Sequence, residues 1–396
     1  MMSLADRKER LVRRVDELAP AWREIALKMH AHPELAGEEH LACRWMSEAL
    51  ESSGFRTERG LAGMPTSFAA RRGTNADAPL VAFMAEMDAL PEVGHACGHN
   101  LSGPASCLAA VALAESEGDA AVRLVVFGSP GEEKSEVGGK ATLMEHGLLK
   151  DVAAAMMAHG GFMNLPNRDM LARRTIRAEF RGQASGPPPA GTGPDALESL
   201  LVLLSAATAM RSKFRPRTRL DMAILDAGSE SGGRTEAALA RAEFVLRATN
   251  LPYLDDLERR LRGSAEAAAA LTGATLDWSS QTGRYLPMKR NPALEAAYEA
   301  NLRLLGEEVG VFPLEESIGF TDQGTISQQV PAIHPYFKMV CRGVKHHTKE
   351  FAEADASEAG LAGMISAAKA MALTALDLTA SPALATAVRA DFVSDS

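Results

Sequence analysis

Residues 95–100 read HACGHN, which places two of the chain's ten histidines and one of its four cysteines side by side. A thiol and imidazoles at this spacing are either a polar turn or half of a metal site. Further donors of the right kind lie elsewhere: Glu132 and Glu133 in SPGEE, His159 in AHGG, and His346 and His347 in VKHHTKEF. Taken singly, each has a bland reading. Cys-X-His is usually a turn, adjacent glutamates are usually solvated charge, and a histidine before Gly-Gly is usually a loop residue. Jointly they read differently, because all fall at strand ends or loops beside Gly or Pro turns. Thiolate, imidazole and carboxylate together suit divalent transition metals. One glutamate beyond the coordination shell is what a metal-activated water needs as its general base.

The elements that must position these donors follow from the hydrophobic pattern. Residues 4–53 have helical spacing interrupted by the turn HAHPELAGEE. PLVAFMAEMDALP (79–91) and AAVRLVVFGSPGEE (120–133) are apolar runs ending in Gly/Pro turns and carboxylates, and LSGPASCLAAVALAESEG between them reads as a helix. DVAAAMMAHGG (151–161) predicts a third strand, ending at His159. Each polar cluster therefore closes a strand, where α/β sheets collect ligands and catalytic groups. Near residue 174 the texture changes. RTIRAEFRG and ARAEFVLRATN alternate as half-buried antiparallel strands do, and two amphipathic helices accompany them. The α/β pattern resumes near residue 286 and closes with an Ala-rich helix over 355–378. The predicted organisation is 1–173, an α+β insert at 174–285, and 286–396.

Composition narrows the function classes. A chain of 396 residues exceeds what one core normally serves. A formal charge of −9 leaves no electrostatic footprint for nucleic acid or an anionic membrane. SLLVLLSAATAM comes nearest to a membrane span and falls short of the roughly 18 residues one needs. The N-terminus lacks the apolar core of a signal peptide. Four sparse cysteines predict reduced thiols in a cytoplasmic protein, with Cys43 and Cys107 packed on helices.

Six runs in this order resemble the dinuclear-metal aminoacylase and carboxypeptidase family, in its branch of hippurate, indoleacetyl-amino-acid and aminobenzoyl-glutamate hydrolases. They are HAHPELAGEE, AEMDALPEVGHACGHN, GSPGEE, AHGG, GFTDQGTISQQVPAIHPY and HHTKEFAEA, and they cover nearly the whole chain. The resemblance implies an α/β catalytic domain with a mixed, mainly parallel sheet and an inserted α+β lid that mediates homodimerisation. It implies two divalent ions, Mn2+ first and Zn2+ second, held by Cys97, His99, Glu133, His159 and His347, with Cys97 touching both. Glu132 matches the general base that takes a proton from the attacking water and returns it to the leaving nitrogen. Asp88 matches the carboxylate that orients a ligand or tunes the base. His346 is left as a substrate contact.

The sequence also departs from the family. The lid's usual Gly-Lys-Ala-Ala-His run, whose histidine helps stabilise an oxyanion across the dimer, is here FRGQASGPPPAG, with Gly186 at the histidine position. Arg234 stands where an asparagine is usual, and Phe320 and Gln323 replace the expected Ser and Met around Asp322. Loss of one oxyanion donor typically costs about 100- to 1,000-fold in rate. Two readings follow, with Arg234 and Gln323 as candidate contacts for an acidic substituent. The leading one is hydrolysis of a C–N bond in a small carboxylate-bearing substrate, an N-acyl or N-aroyl amino acid or a dipeptide. The alternative is deamination of an aromatic amine such as a nitroanthranilate, whose charge delocalises into the ring. An inactive binding protein is a third reading, opposed by the intact Glu132 and donor set.

Overall fold

The computed structural model describes residues 2–134, 137–182, 194–227 and 238–394. The chain divides into two compact units, residues 1–168, 288–312 and 325–396 forming the first, and 169–287 with 313–324 the second.

In the first unit, the strands β1 (Arg56–Arg59), β2 (Phe68–Arg72), β3 (Leu80–Glu86), β4 (Leu124–Ser129), β5 (Val152–Met156) and β11 (Ala332–Ile333) form one sheet in the order β1-β2-β4-β3-β5-β11. Pairing of β3 with β4, β3 with β5 and β5 with β11 is parallel, while β1 with β2 and β2 with β4 are antiparallel. The sheet is mixed and mainly parallel. The predicted third strand is two short ones: β5 ends at Met156, and β6 (His159–Gly161) joins β12 (Tyr336–Lys338) in a separate parallel ladder. A β1–β2 pair that the sequence analysis did not identify completes the edge.

Helices pack this sheet for readable reasons. The helix α1 (Leu4–Ala31) starts at a Ser3/Asp6 capping box and buries Leu11, Val15, Ala19, Trp22, Ala26 and Met29, a 3-to-4-residue stripe. After α2 (His40–Ser52), the helix α3 (His99–Glu117) is buried from His99 to Ala114 and lies close against β3. A Cβ at Gly103 would sit 2.4 Å from the Glu86 carbonyl oxygen, so only glycine allows this approach. The Ala-rich helix Glu358–Ala380 is apolar and long enough to cross a membrane, which the sequence reading did not anticipate. Here 72% of its apolar window is buried inside the protein, and it packs against α1 and α3.

The second unit is an antiparallel sheet of β7 (Ala172–Arg181), β8 (Arg219–Asp226), β9 (Leu239–Ala248) and β10 (Thr275–Tyr285), ordered β10-β7-β9-β8. Helices Ala196–Met210 and Leu251–Thr272 pack on it around Ile176, Phe180, Leu200, Leu203, Phe244 and Leu257. Two of its strands, β8 and β10, were not read from the sequence. Most β8 residues are at least partly exposed, so apolar alternation marks that strand weakly.

Candidate metal centre

All the donors singled out between residues 88 and 159, together with His346 and His347, belong to the first unit. Asp88 follows β3, Glu132 and Glu133 follow β4, and His159 opens β6. Cys97 ends the loop before α3 and His99 is that helix's first residue. Between them Gly98 has φ +85°, the left-handed turn that points both side chains inward. His346 and His347 precede a helix at Lys349–Asp355. His347 holds φ +65°, uncommon for a non-glycine residue, and its N–H donates to the Ala96 carbonyl at 2.8 Å. That bond ties the loop to the HACGH turn.

Two donor triads share the cysteine. Cys97, His99 and His159 form one, and Cys97, Glu133 and His347 the other; within each, the donor atoms lie within 4.8 Å of one another. Cys97 Sγ is 3.4 Å from His159 Nε2, and Glu133 Oε1 is 3.2 Å from His347 Nε2. His99, Glu132 and Glu133 make a third close set.

The surroundings orient the donors. Asp88 binds His99 Nδ1 through Oδ1 at 2.9 Å and through its backbone carbonyl at 3.0 Å, while its Oδ2 accepts from the Glu133 N–H at 2.9 Å. One carboxylate thus fixes a donor of each triad, the arrangement that sets ring orientation in metal sites. His159 Nδ1 faces the Gly160 carbonyl at 3.0 Å, leaving Nε2 directed at Cys97. The buried Glu39 accepts from the Gly131 N–H at 2.8 Å and from Thr66 at 2.8 Å, which anchors the turn carrying Glu132 and Glu133.

Electrostatics test whether a cation fits. Burial pushes the Cys97 thiol well above its ordinary range, and Glu133 adds to this. A thiolate here requires a cation beside it. Burial holds His159 at about 3, hence neutral with a lone pair to offer. Burial would raise Glu133, but the adjoining imidazoles of His347 and His99 outweigh it and hold the carboxyl at about 2. Among the described residues His99 Nε2 is buried with no hydrogen-bond partner, and Glu133 Oε1 meets His347 without hydrogen-bond geometry. Buried polar atoms left this way are costly unless something else binds them. The donor set fits divalent transition metals.

Not every candidate joins the cluster. His346 Nε2 is engaged by the Gly160 carbonyl at 3.0 Å, and its ring lies 4.3 Å from that of Phe351. Gln323 belongs to the second unit, where its side-chain amide is buried without a hydrogen-bond partner among the described residues. Phe320 sits there between the guanidinium groups of Arg173 and Arg247, at 4.7 and 4.8 Å. Gly186 and Arg234 lie outside the described residues. Sequence reasoning missed Glu86, Lys140 and His334, all buried in the first unit. Glu86 left a readable signal, a charged residue ending an otherwise apolar strand.

A parallel-stranded α/β unit with two overlapping donor triads and a buried spare glutamate at its strand ends defines a metal-dependent hydrolase. The model of peptidase family M20/M25/M40 matches residues 82–370, and the chain belongs to that family, a group of hydrolases that cleave C–N bonds. It is 32% identical to the Xaa-Arg dipeptidase of Mus musculus over 97% of this chain and 92% of the relative. It is 29% identical to a p-aminobenzoyl-glutamate hydrolase of Escherichia coli (strain K12), over 70% of this chain and 61% of the relative. A dinuclear metal binding peptidase of the M20 family from Bacillus subtilis shares the fold, with a TM-score of 0.67 at 17% identity over 91% of this chain and 98% of that one.

Proposed function

We propose that this protein hydrolyses the C–N bond of a small carboxylate-bearing amide, an N-acyl or N-aroyl amino acid or a dipeptide, using two divalent ions. The observation that carries the reading is the sharing of Cys97 between two donor triads. Cys97, His99 and His159 would hold one ion and Cys97, Glu133 and His347 the other. Such ions supply charge that acidifies water and polarises a carbonyl. The family resemblance makes Mn2+ the first choice and Zn2+ the second. Glu132, 7% exposed beside His99 and Glu133, takes the proton of the attacking water and delivers it to the leaving nitrogen. Asp88 holds His99 and the Glu133 backbone still while this happens.

The dipeptidase and aminobenzoyl-glutamate hydrolase relatives favour the amide reading. Gly186, standing where a lid histidine is expected, favours the aromatic-amine alternative. Assaying free amine and ammonia together, on a panel of N-acyl amino acids, dipeptides and nitroanilines, separates the two. Amine release from amides supports the first reading, and ammonia from a nitroaniline alone replaces it. In either case Cys97→Ala should lose both ions and all turnover while keeping its far-UV spectrum. Two retained equivalents of metal would remove the shared-cysteine assignment.

Homodimerisation through the second unit belongs to the same reading. Its edge strand β8 exposes Ile224 and Leu225, about half accessible, and the helix Ala196–Met210 exposes Leu201 and Val202. A sheet edge that is apolar and unpaired among the described residues invites a second copy. The four free cysteines agree with work in a reducing cytoplasm.

A further inference from the structure

The geometry points to Glu86 as a further ligand of the ion held by His99, a carboxylate that Lys140 presents from behind. The inference rests on the two-ion reading above. Glu86 ends β3 and is fully buried; Lys140, also fully buried, comes from the helix Gly139–Glu145. Lysine is almost never fully buried without a partner. Here its Nζ donates to Glu86 Oε1 at 2.6 Å. The other oxygen, Glu86 Oε2, has no hydrogen-bond partner among the described residues. It lies 3.4 Å from His99 Nε2, which has none either.

Each of these two side chains is thus pinned at its far end and open at its near end. Asp88 holds His99 Nδ1, Lys140 holds Glu86 Oε1, and the two free atoms face one point. Protein nitrogen and oxygen donors sit about 2.0–2.2 Å from a zinc ion, so two on one tetrahedral ion are about 3.4 Å apart. The same spacing recurs at Cys97–His159, 3.4 Å, and Glu133–His347, 3.2 Å. Without an ion the two groups face each other as a His–Glu ion pair, and the spectroscopic test below separates that arrangement from shared ligation. Backbone placement is equally tight, since the Glu86 carbonyl rests on Gly103 of α3. The strand end cannot drift from the helix that carries His99.

The test uses the full-length protein loaded with Co2+, reading bound equivalents, dissociation constants and the visible ligand-field spectrum. Glu86→Gln alone would unbalance the buried Lys140–Glu86 pair, so the deciding variant is Glu86→Gln/Lys140→Met, which removes both charges. We expect it to bind one ion normally and the other more than about 100-fold more weakly. That exceeds the 10- to 100-fold typical when a residue acts only through a ligand. The ligand-field spectrum should change as well. If the double variant does not fold, Glu86→Asp keeps the charge but withdraws the carboxylate by one methylene, and it should still alter the spectrum. Two equivalents with unchanged affinity and superposable spectra would overturn the proposal. Weaker binding with an unchanged spectrum would also overturn it, leaving Glu86 a positioning residue. Wild-type protein that binds no ion would instead overturn the two-ion reading itself.

Discussion

The two units solve burial in opposite ways. The second unit buries little charge: among its described charged residues Arg174, which pairs with Asp255 at 2.7 Å and Glu258 at 2.6 Å, and Asp322 are buried. Other pairs, such as Arg177–Glu243, have largely exposed arginines. The first unit buries Glu39, Glu86, Asp88, His99, Glu132, Lys140, His159, His334 and Asp355. Strands covered on both faces have no solvent side for polar groups, so these collect at strand ends and in the following loops. There each must be partnered or bound, and the energetic penalty of leaving them bare is what a ligand relieves. Polar interior marks where the chemistry is; alternating strands mark a scaffold.

The strongest way to break this comparison is at Glu132. Glu132→Gln should lose about 100- to 10,000-fold in turnover while binding metal and unfolding in denaturant as wild type does. Undiminished turnover with metals in place would take Glu132 out of the mechanism.

A smaller effect concerns His334. Burial depresses its pKa from 6.5 to about 4, and neither ring nitrogen has a hydrogen-bond partner among the described residues. Its folded pKa lies below its unfolded one, so its contribution is fully present above pH 6.5 and is lost as pH falls toward 4. The total is on the order of 3 kcal/mol. Denaturant titrations between pH 7.5 and 4.5 should show a shallower acid loss in His334→Leu than in wild type. Parallel curves would mean that the buried imidazole is not titrating.

The smallest effect belongs to the second unit. Arg177→Ala, breaking a pair whose arginine is 56% exposed, should change stability by about 1 kcal/mol or less. A larger loss in the same denaturant measurement would show that this unit also relies on charge, and the contrast would fail.

Much of the catalytic unit was legible because its signals are local. Apolar runs ended in Gly/Pro turns at β3 and β4, and the donors stood in those turns. The strands that escaped, β1, β2, β8 and β10, lack such runs: β1 is RTER, and β8 is largely exposed. Their pairing is supplied by neighbours distant in the chain. The break after β5 escaped for a related reason, since the short β6 is defined by its partner β12, 177 residues on by the His159–Tyr336 register.

By itself, the sequence determined which residue types could bind metal and that they close strands, because side-chain chemistry and hydrophobic period are properties of a few adjacent residues. Only the tertiary structure decided that Cys97 is shared by two triads, that Asp88 serves a donor in each, and that Glu86 turns a carboxylate oxygen toward His99. Those are distances of a few ångströms between separate segments, set by how closely α3 can approach β3 at Gly103 and by the left-handed turn at Gly98. Residue type limits what a site can do, and packing fixes which atoms meet.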